Sequence, residues 1–208
     1  MAEPLQSLEP DRCYHIYNHA VGSENLFRSD KNYISFLAGF KKHILPVADL
    51  LSYALMKNHF HFVVRFRSYD EITAVMKKQD LTLVPNKIVS ISSEQIILFL
   101  SRQFSNYFNS YAKSLNKENF RRGALFERAF HRKNVVTDEY LKKLIRYIHQ
   151  NPVKDGFAAT IEEWKYSSYN SIISLNPTLI VRQDVLDLFG DNENFIFYHK
   201  QNETGFEY

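Results

Sequence analysis

Hydrophobic and polar residues alternate with a period of two in two stretches of the chain, residues 12–20 (RCYHIYNHA) and residues 59–66 (HFHFVVRF). This period predicts β-strands, because successive side chains of a strand point to opposite faces. One face of the second strand carries Phe60, Phe62, Val64 and Phe66, which predicts a core face. The other face carries His59, His61, Arg65 and Val63. Residues 50–56 (LLSYALM) predict a further strand, joined to the second stretch by a tight turn at Lys57-Asn58.

Apolar residues spaced three or four apart predict amphipathic helices in four other stretches. These are residues 30–45, 70–79, 94–117 and 138–151. Ser29 or Asp30 can cap the first helix and Thr137 or Asp138 the last, which Pro152 is expected to end. The third helix has an apolar stripe of Ile97, Leu100, Phe104, Tyr107, Phe108 and Tyr111. A fourth strand is predicted over residues 129–136.

The order of strand, helix and β-hairpin resembles the first half of a split βαββαβ arrangement. We therefore expect an α+β, ferredoxin-like fold with added helices. Residues 12–156 are expected to form one domain, and residues 157–208 a C-terminal extension packed on it. Within the extension, helical pieces are predicted around residues 161–164 and 184–188.

Composition adds several exclusions. The 208 residues are 45% hydrophobic, which is enough for a substantial core and argues against wholesale disorder. The single cysteine, Cys13, excludes an internal disulfide framework and fits a reducing compartment. No stretch approaches the roughly 20 apolar residues of a membrane span, and residues 1–11 lack a secretory pattern. We expect a soluble cytoplasmic protein with no membrane partner, whose net charge of +3 permits an anionic one.

Two pairs of residues could carry chemistry. His59 and His61 lie side by side on one strand face, a geometry that can chelate a metal; the alternative is a half-solvated strand that happens to carry histidines. Tyr147 and Asn151 are four residues apart and share a helix face. An activated phenol can be a covalent nucleophile, and a carboxamide can help to hold a metal. The alternative for this pair is a core aromatic followed by a helix stop.

A basic stretch with interleaved aromatic residues, residues 113–133, begins in the last turn of the long helix and continues beyond it. Its cations, with one more after the last helix, are predicted to contact DNA: Lys113, Lys117, Arg121, Arg122, Arg128, Arg132, Lys133 and Lys154. Phe120, Phe126 and Phe130 lie among them, a mixture that suits backbone neutralisation and base stacking. The alternative is a solvated loop with core phenylalanines.

The order of the motifs is more specific than any of them alone. YHIYNHA with NLFRSDKNYISFL, then YALMKNHFHFVV, GALFERAFHRKNV, and YIHQNPVKDGF with EWKYSSY resemble the REP-associated tyrosine transposases. These are a single-tyrosine branch of the HUH endonucleases, named after a histidine, hydrophobic residue, histidine triplet. The resemblance runs from Tyr14 to Tyr169. Two departures are Lys57, where relatives often carry proline, and residues 67–94, which are longer than a minimal domain needs.

The resemblance implies that residues 12–156 are a ferredoxin-like HUH catalytic domain. It implies Tyr147 as the nucleophile and His59, His61 and Asn151 as ligands of Mg²⁺ or Mn²⁺. The implied reaction nicks and rejoins single-stranded DNA near imperfect hairpins, at REP-like sites or insertion-sequence ends, through a 5′-phosphotyrosine. Relatives are monomers or homodimers, and both states stay open. So do two other functions: a hairpin DNA- or RNA-binding protein without cleavage, and a metallohydrolase that uses water and more carboxylates.

Overall fold

The computed structural model describes residues 6–79, 91–127 and 129–201. The elements are β1 (Cys13–His19), α1 (Asp30–His43), β2 (Ala48–Leu55), β3 (His59–Phe66), α2 (Tyr69–Gln79), α3 (Ser93–Glu118), β4 (His131–Val135), α4 (Asp138–Lys154), α5 (Tyr169–Ile173), α6 (Arg182–Phe189) and α7 (Asn192–Lys200). No helix in these three ranges is both long and apolar enough to cross a bilayer.

The four strands form one antiparallel sheet in the order β2-β3-β1-β4. This is the strand order of the split βαββαβ arrangement, so the predicted ferredoxin-like α+β class is confirmed. The hairpin between β2 and β3 closes where the Met56 N–H donates to the His59 carbonyl at 2.9 Å. Because β1 pairs with β3 along its whole length, Tyr17 lies opposite His61 and His19 lies opposite His59.

The main core lies between one sheet face and helices α1 and α3. Phe60 and Phe62 of β3 pack against Phe36 of α1, as the period of two predicts. The two helices approach closely at Gly39, where an added Cβ would lie 2.9 Å from the Tyr107 ring. A side chain at that position would push the helices apart, which explains a glycine inside α1.

The second sheet face is also covered. Helix α4 packs on β2, and the chain after α4 returns to the same edge, where the Ser168 N–H donates to the Tyr53 carbonyl at 2.9 Å. Strand β3 is therefore buried on both faces, with only Arg65 partly exposed. The alternative of a half-solvated strand was wrong for this strand.

Three local predictions were also wrong. Ile96 rather than Ile97 faces the core, because Ile96 lies one helical turn before Leu100 on the buried face of α3. Helix α4 continues past Pro152 to Lys154, since a proline near the helix end costs only one backbone hydrogen bond. Residues 161–164 form turns instead of a helix.

Candidate active site

His59 and His61 are the first and third residues of β3, next to the turn that follows β2. Their side chains face α4. Both side chains are buried, with residue exposures of 7% and 1%. Their neighbours across the sheet are aromatic: the rings of His19 and His59 stack at 4.7 Å, and the His15 and His61 rings lie 5.1 Å apart. The two candidate ligands therefore sit in a dense layer of rings between the sheet and the helix.

Hydrogen bonds select one tautomer of His61. The Asn151 amide Nδ2 donates to Nε2 of His61 at 3.0 Å, so Nε2 carries no proton. The ring proton is then on Nδ1, which donates to Nε2 of His15 at 2.9 Å. A histidine whose Nδ1–H is held by a neighbouring acceptor presents Nε2 in a fixed direction, as metal-binding histidines do.

His59 has the same arrangement with different partners. Its Nδ1 donates to the side-chain oxygen of Asn58 at 2.9 Å, which leaves Nε2 unprotonated. That Nε2 lies 3.3 Å from a carboxylate oxygen of Asp155, the residue that caps the C-terminus of α4. Two electron-pair donors that face each other at this distance repel unless a proton or a cation lies between them.

Burial keeps the histidine layer neutral. It lowers the pKa of His59 to about 4 and that of His15 to about 3, and it lowers the pKa of His61 well below the usual range. Burial also raises the pKa of Asp155, an effect that the nearby His19 partly offsets. At neutral pH the imidazoles are in the uncharged form that binds metals.

Helix α4 brings Tyr147 and Asn151 to these histidines. The Thr137 hydroxyl accepts from the Tyr140 N–H at 3.2 Å and starts the helix. The buried stripe of α4 is Leu141, Leu144, Ile145 and Ile148. This stripe sets the rotation of the helix so that the Tyr147 ring lies 6.1 Å from the His61 ring and perpendicular to it. The ammonium of Lys154 lies 4.7 Å from the centre of the same tyrosine ring.

His59, His61 and Asn151 could together hold a divalent cation once the Asn151 amide turned over, because its Nδ2 now donates to the His61 Nε2 that the cation would need. Across the described ranges, no three His, Cys, Asp or Glu side chains are placed to hold a metal by themselves. The site therefore needs the oxygen of the Asn151 amide beside the two imidazoles. Two nitrogens and one neutral oxygen would leave coordination positions open, as catalytic metal sites do and closed structural zinc sites do not.

The predicted DNA-binding cations do not share one surface. Lys113, Lys117 and Arg122 are exposed at the end of α3 and in the loop after it. Arg121 is largely buried and pairs with Glu24 at 3.1 Å. Arg128 lies outside the described residues.

The two cations of β4 point to opposite faces of the sheet. Lys133 pairs in register with His15 and so lies on the face of the candidate site. Arg132 lies on the other face, where its guanidinium donates to the Ser101 hydroxyl at 3.0 Å. Phe126 and Phe130 are partly buried and pack on Phe108, so each ring has one face against the protein.

Three contributors to the site were missed in the sequence. His15 alternates with Tyr17 and His19 along β1, so the period of two placed it on the site face. Asn58 was assigned only a turn position. Asp155 lies one residue past the helix, and only the continuation of α4 through Pro152 brings it to His59.

Comparisons with known proteins bear on the family resemblance and on the fold. The chain is 26% identical over 100 residues to a Haemophilus influenzae protein described as a REP-associated tyrosine transposase; the match covers 43% of this chain and 57% of that relative. The chain thus spans little more than half of the relative's length. A solved REP-associated tyrosine transposase bound to a REP hairpin has a TM-score of 0.59 at 10% identity, over 85% of this chain and 89% of that one. No protein-family model matches. The resemblance to this group and the predicted fold are confirmed.

Proposed function

We propose that this chain is a divalent-metal-dependent DNA transposase that nicks and rejoins single-stranded DNA near hairpins through a 5′-phosphotyrosine. One observation carries the proposal: Tyr147 and Asn151, one turn apart on α4, both lie against His61. The hairpin in the structural neighbour supports the same class of substrate here. The preferred DNA is a REP-like or insertion-sequence hairpin with single-stranded flanks.

The residues around the metal site have defined tasks. His59, His61 and Asn151 would hold Mg²⁺ or Mn²⁺, and the bound ion would supply charge neutralisation at the scissile phosphate. His15 and Asn58 fix the orientation of the two imidazoles through the Nδ1 hydrogen bonds. Burial under α4 excludes water and strengthens each electrostatic interaction within the site.

Tyr147 is the nucleophile in this proposal. Its hydroxyl oxygen attacks the phosphorus, the bond to the 3′ oxygen breaks, the phenol proton passes to solvent, and the leaving oxygen takes up a proton. The products are a 5′-phosphotyrosine and a free 3′-hydroxyl. Because the ester is conserved, another 3′-hydroxyl can attack it and join a new strand without ATP. The ammonium of Lys154, 4.7 Å from the ring centre, stabilises the phenolate that develops.

The test uses 3′-labelled single-stranded DNA that carries imperfect hairpins with randomised flanks. Incubated with the protein and Mn²⁺, this pool is expected to give a labelled adduct that survives denaturing electrophoresis. Tyr147→Phe should abolish the adduct, and EDTA should prevent it. Tyr140→Phe is the matched control, because Tyr140 lies on the same helix two turns earlier, and it should retain the adduct.

The remaining outcomes reject the proposal in distinct ways. An adduct that persists in Tyr147→Phe would reject the nucleophile. Cleavage without any adduct would favour a water nucleophile and the metallohydrolase. Hairpin binding with neither cleavage nor adduct would leave a DNA- or RNA-binding protein.

A further inference from the structure

Phe120 projects into solvent from the loop that follows α3. Its exposure is 98%, whereas the nearby Phe126 is partly buried and packs against Phe60 and Phe108. An exposed phenyl ring contributes nothing to the core, and leaving it in water forgoes roughly 1.5–3 kcal/mol of burial. The ring is therefore not explained by packing within the described part of the chain.

The backbone at Phe120 is held in an unfavourable conformation. Its φ of 51° lies in the left-handed region, which costs a residue with a side chain about 1–2 kcal/mol. The residue that follows compensates for this cost. The Arg121 guanidinium donates to the Asn116 side-chain oxygen and to the Ala124 carbonyl, each at 2.8 Å. The Asn116 amide in turn donates to the Gly123 carbonyl at 3.0 Å. These hydrogen bonds hold the loop in a conformation in which the Phe120 ring points into solvent.

Around the Phe120 ring, the exposed charges that have no counter-ion within the described residues are positive. Lys117 and Arg122 are exposed, and neither has an ion pair among the residues that the structure describes. The nearby carboxylates are already engaged: Glu24 by Arg121 at 3.1 Å, and Glu118 by Lys31 at 3.7 Å. An aromatic face between free cations matches a polyanion with π-faced groups, which is the chemistry of a nucleic-acid strand.

The loop also leads back to the candidate site. The Val21 N–H donates to the Leu125 carbonyl at 3.0 Å, and the Glu127 N–H donates to the His19 carbonyl at 3.0 Å. His19 stacks on His59. A DNA strand that contacts this loop would therefore lie near the end of the sheet that carries His59 and His61.

We propose that Phe120 stacks on an unpaired base of the hairpin DNA while Lys117 and Arg122 contact its phosphates. This inference rests on the proposed function and adds a specific binding contact to it. The contact reads the π-face of a base rather than its edge, so it discriminates unpaired from paired nucleotides more than one base from another.

The test compares three variants for binding to a fluorescently labelled hairpin with single-stranded flanks, in EDTA so that cleavage does not contribute. Phe120→Ala should weaken binding about 5- to 160-fold, the range for loss of one stacked base. Phe120→Leu keeps an apolar side chain without a π-face and should lose nearly as much. Urea midpoints of both variants should equal that of the wild type, because the ring has no internal contacts to lose.

Phe120→Trp provides a direct reading of the contact. Its added emission, measured against the wild type with its single Trp164, should be quenched by the flanked hairpin and not by a blunt duplex. Unchanged affinity in Phe120→Ala, or emission insensitive to DNA, would overturn the stacking contact. A wild type that binds no hairpin at all would instead reject the proposed function. A loss of self-association in Phe120→Ala would show that a second copy of the chain covers the ring, which also overturns it.

Discussion

Mild acid, at a pH that most small domains tolerate, should markedly destabilise this protein. Five histidines of the described chain are buried in neutral form, each with at least one ring nitrogen in a hydrogen bond: His15, His59, His61, His149 and His199. The last two belong to a separate chain of hydrogen bonds. His149 Nδ1 donates to Nε2 of His199 at 2.9 Å, and the Ser168 hydroxyl donates to Nε2 of His149 at 2.7 Å. A proton on any accepting nitrogen would break its hydrogen bond and leave a buried charge.

The direction and size of the change in unfolding free energy follow from the lowered pKa values of these histidines. Burial lowers the folded-state pKa values of His59 and His199 to about 4 and that of His15 to about 3, below the unfolded value near 6.5. The unfolded chain therefore takes up protons first, and stability falls from about pH 6.5 downward. At pH 5.5 each of these three histidines costs about 1.4 kcal/mol, together about 4 kcal/mol. That is a large share of a typical 5–15 kcal/mol.

Urea unfolding between pH 7.5 and pH 5.5, in EDTA, measures this effect. The unfolding free energy should fall by about 4 kcal/mol or more, since His61 and His149 are also shifted downward. Ordinary carboxylates titrate near pH 4, so this window reports on histidines. His131→Gln is the control, because His131 is exposed, and its pH dependence should match the wild type. An equal free energy of unfolding at both pH values would refute the claim that these buried histidines stay neutral in the folded protein.

Three further changes separate the roles of single side chains. Asn151→Ala should weaken Mn²⁺ binding at least about tenfold in calorimetry, because it removes the only amide of the donor set; undiminished affinity would remove Asn151 from that set. Asp155→Asn should also weaken Mn²⁺ binding, by a smaller factor, since a negative charge 3.3 Å from His59 Nε2 is lost; tighter binding would mean that the carboxylate competes with the metal. Ser168→Ala should lower the free energy of unfolding by about 1–3 kcal/mol, because the hydroxyl that caps His149 is buried; a neutral result in urea unfolding would indicate that Ser52 replaces it fully.

The parts of the fold with a clear period were predictable from the sequence. Alternation in residues 12–20 and 59–66 predicted β1 and β3, and helical spacing with a threonine cap predicted α4. The juxtaposition of Tyr147 with the histidine pair was implied by resemblance to a family and lay beyond the periodicity. Only the packing of α4 on the sheet brings the two segments together.

Other features depend on tertiary structure that a local pattern does not encode. The basic stretch has one charge sign in sequence, yet the pleat of β4 sends Arg132 and Lys133 to opposite faces. Phe120 and Phe126 are the same residue type in the same stretch, yet one projects into solvent and the other is partly buried against the core. Asp155 reaches His59 because α4 continues through a proline that the sequence rules treat as a stop.

The central claim is that the Tyr147 hydroxyl forms the covalent bond to DNA. Nuclease digestion of the trapped adduct, followed by proteolysis and tandem mass spectrometry, leaves a nucleotide on the attacking residue and identifies it. We expect a nucleotide phosphate on the Tyr147 side chain, in the peptide that contains this residue. The same mass shift on Tyr140, on a serine or on no peptide at all would contradict it.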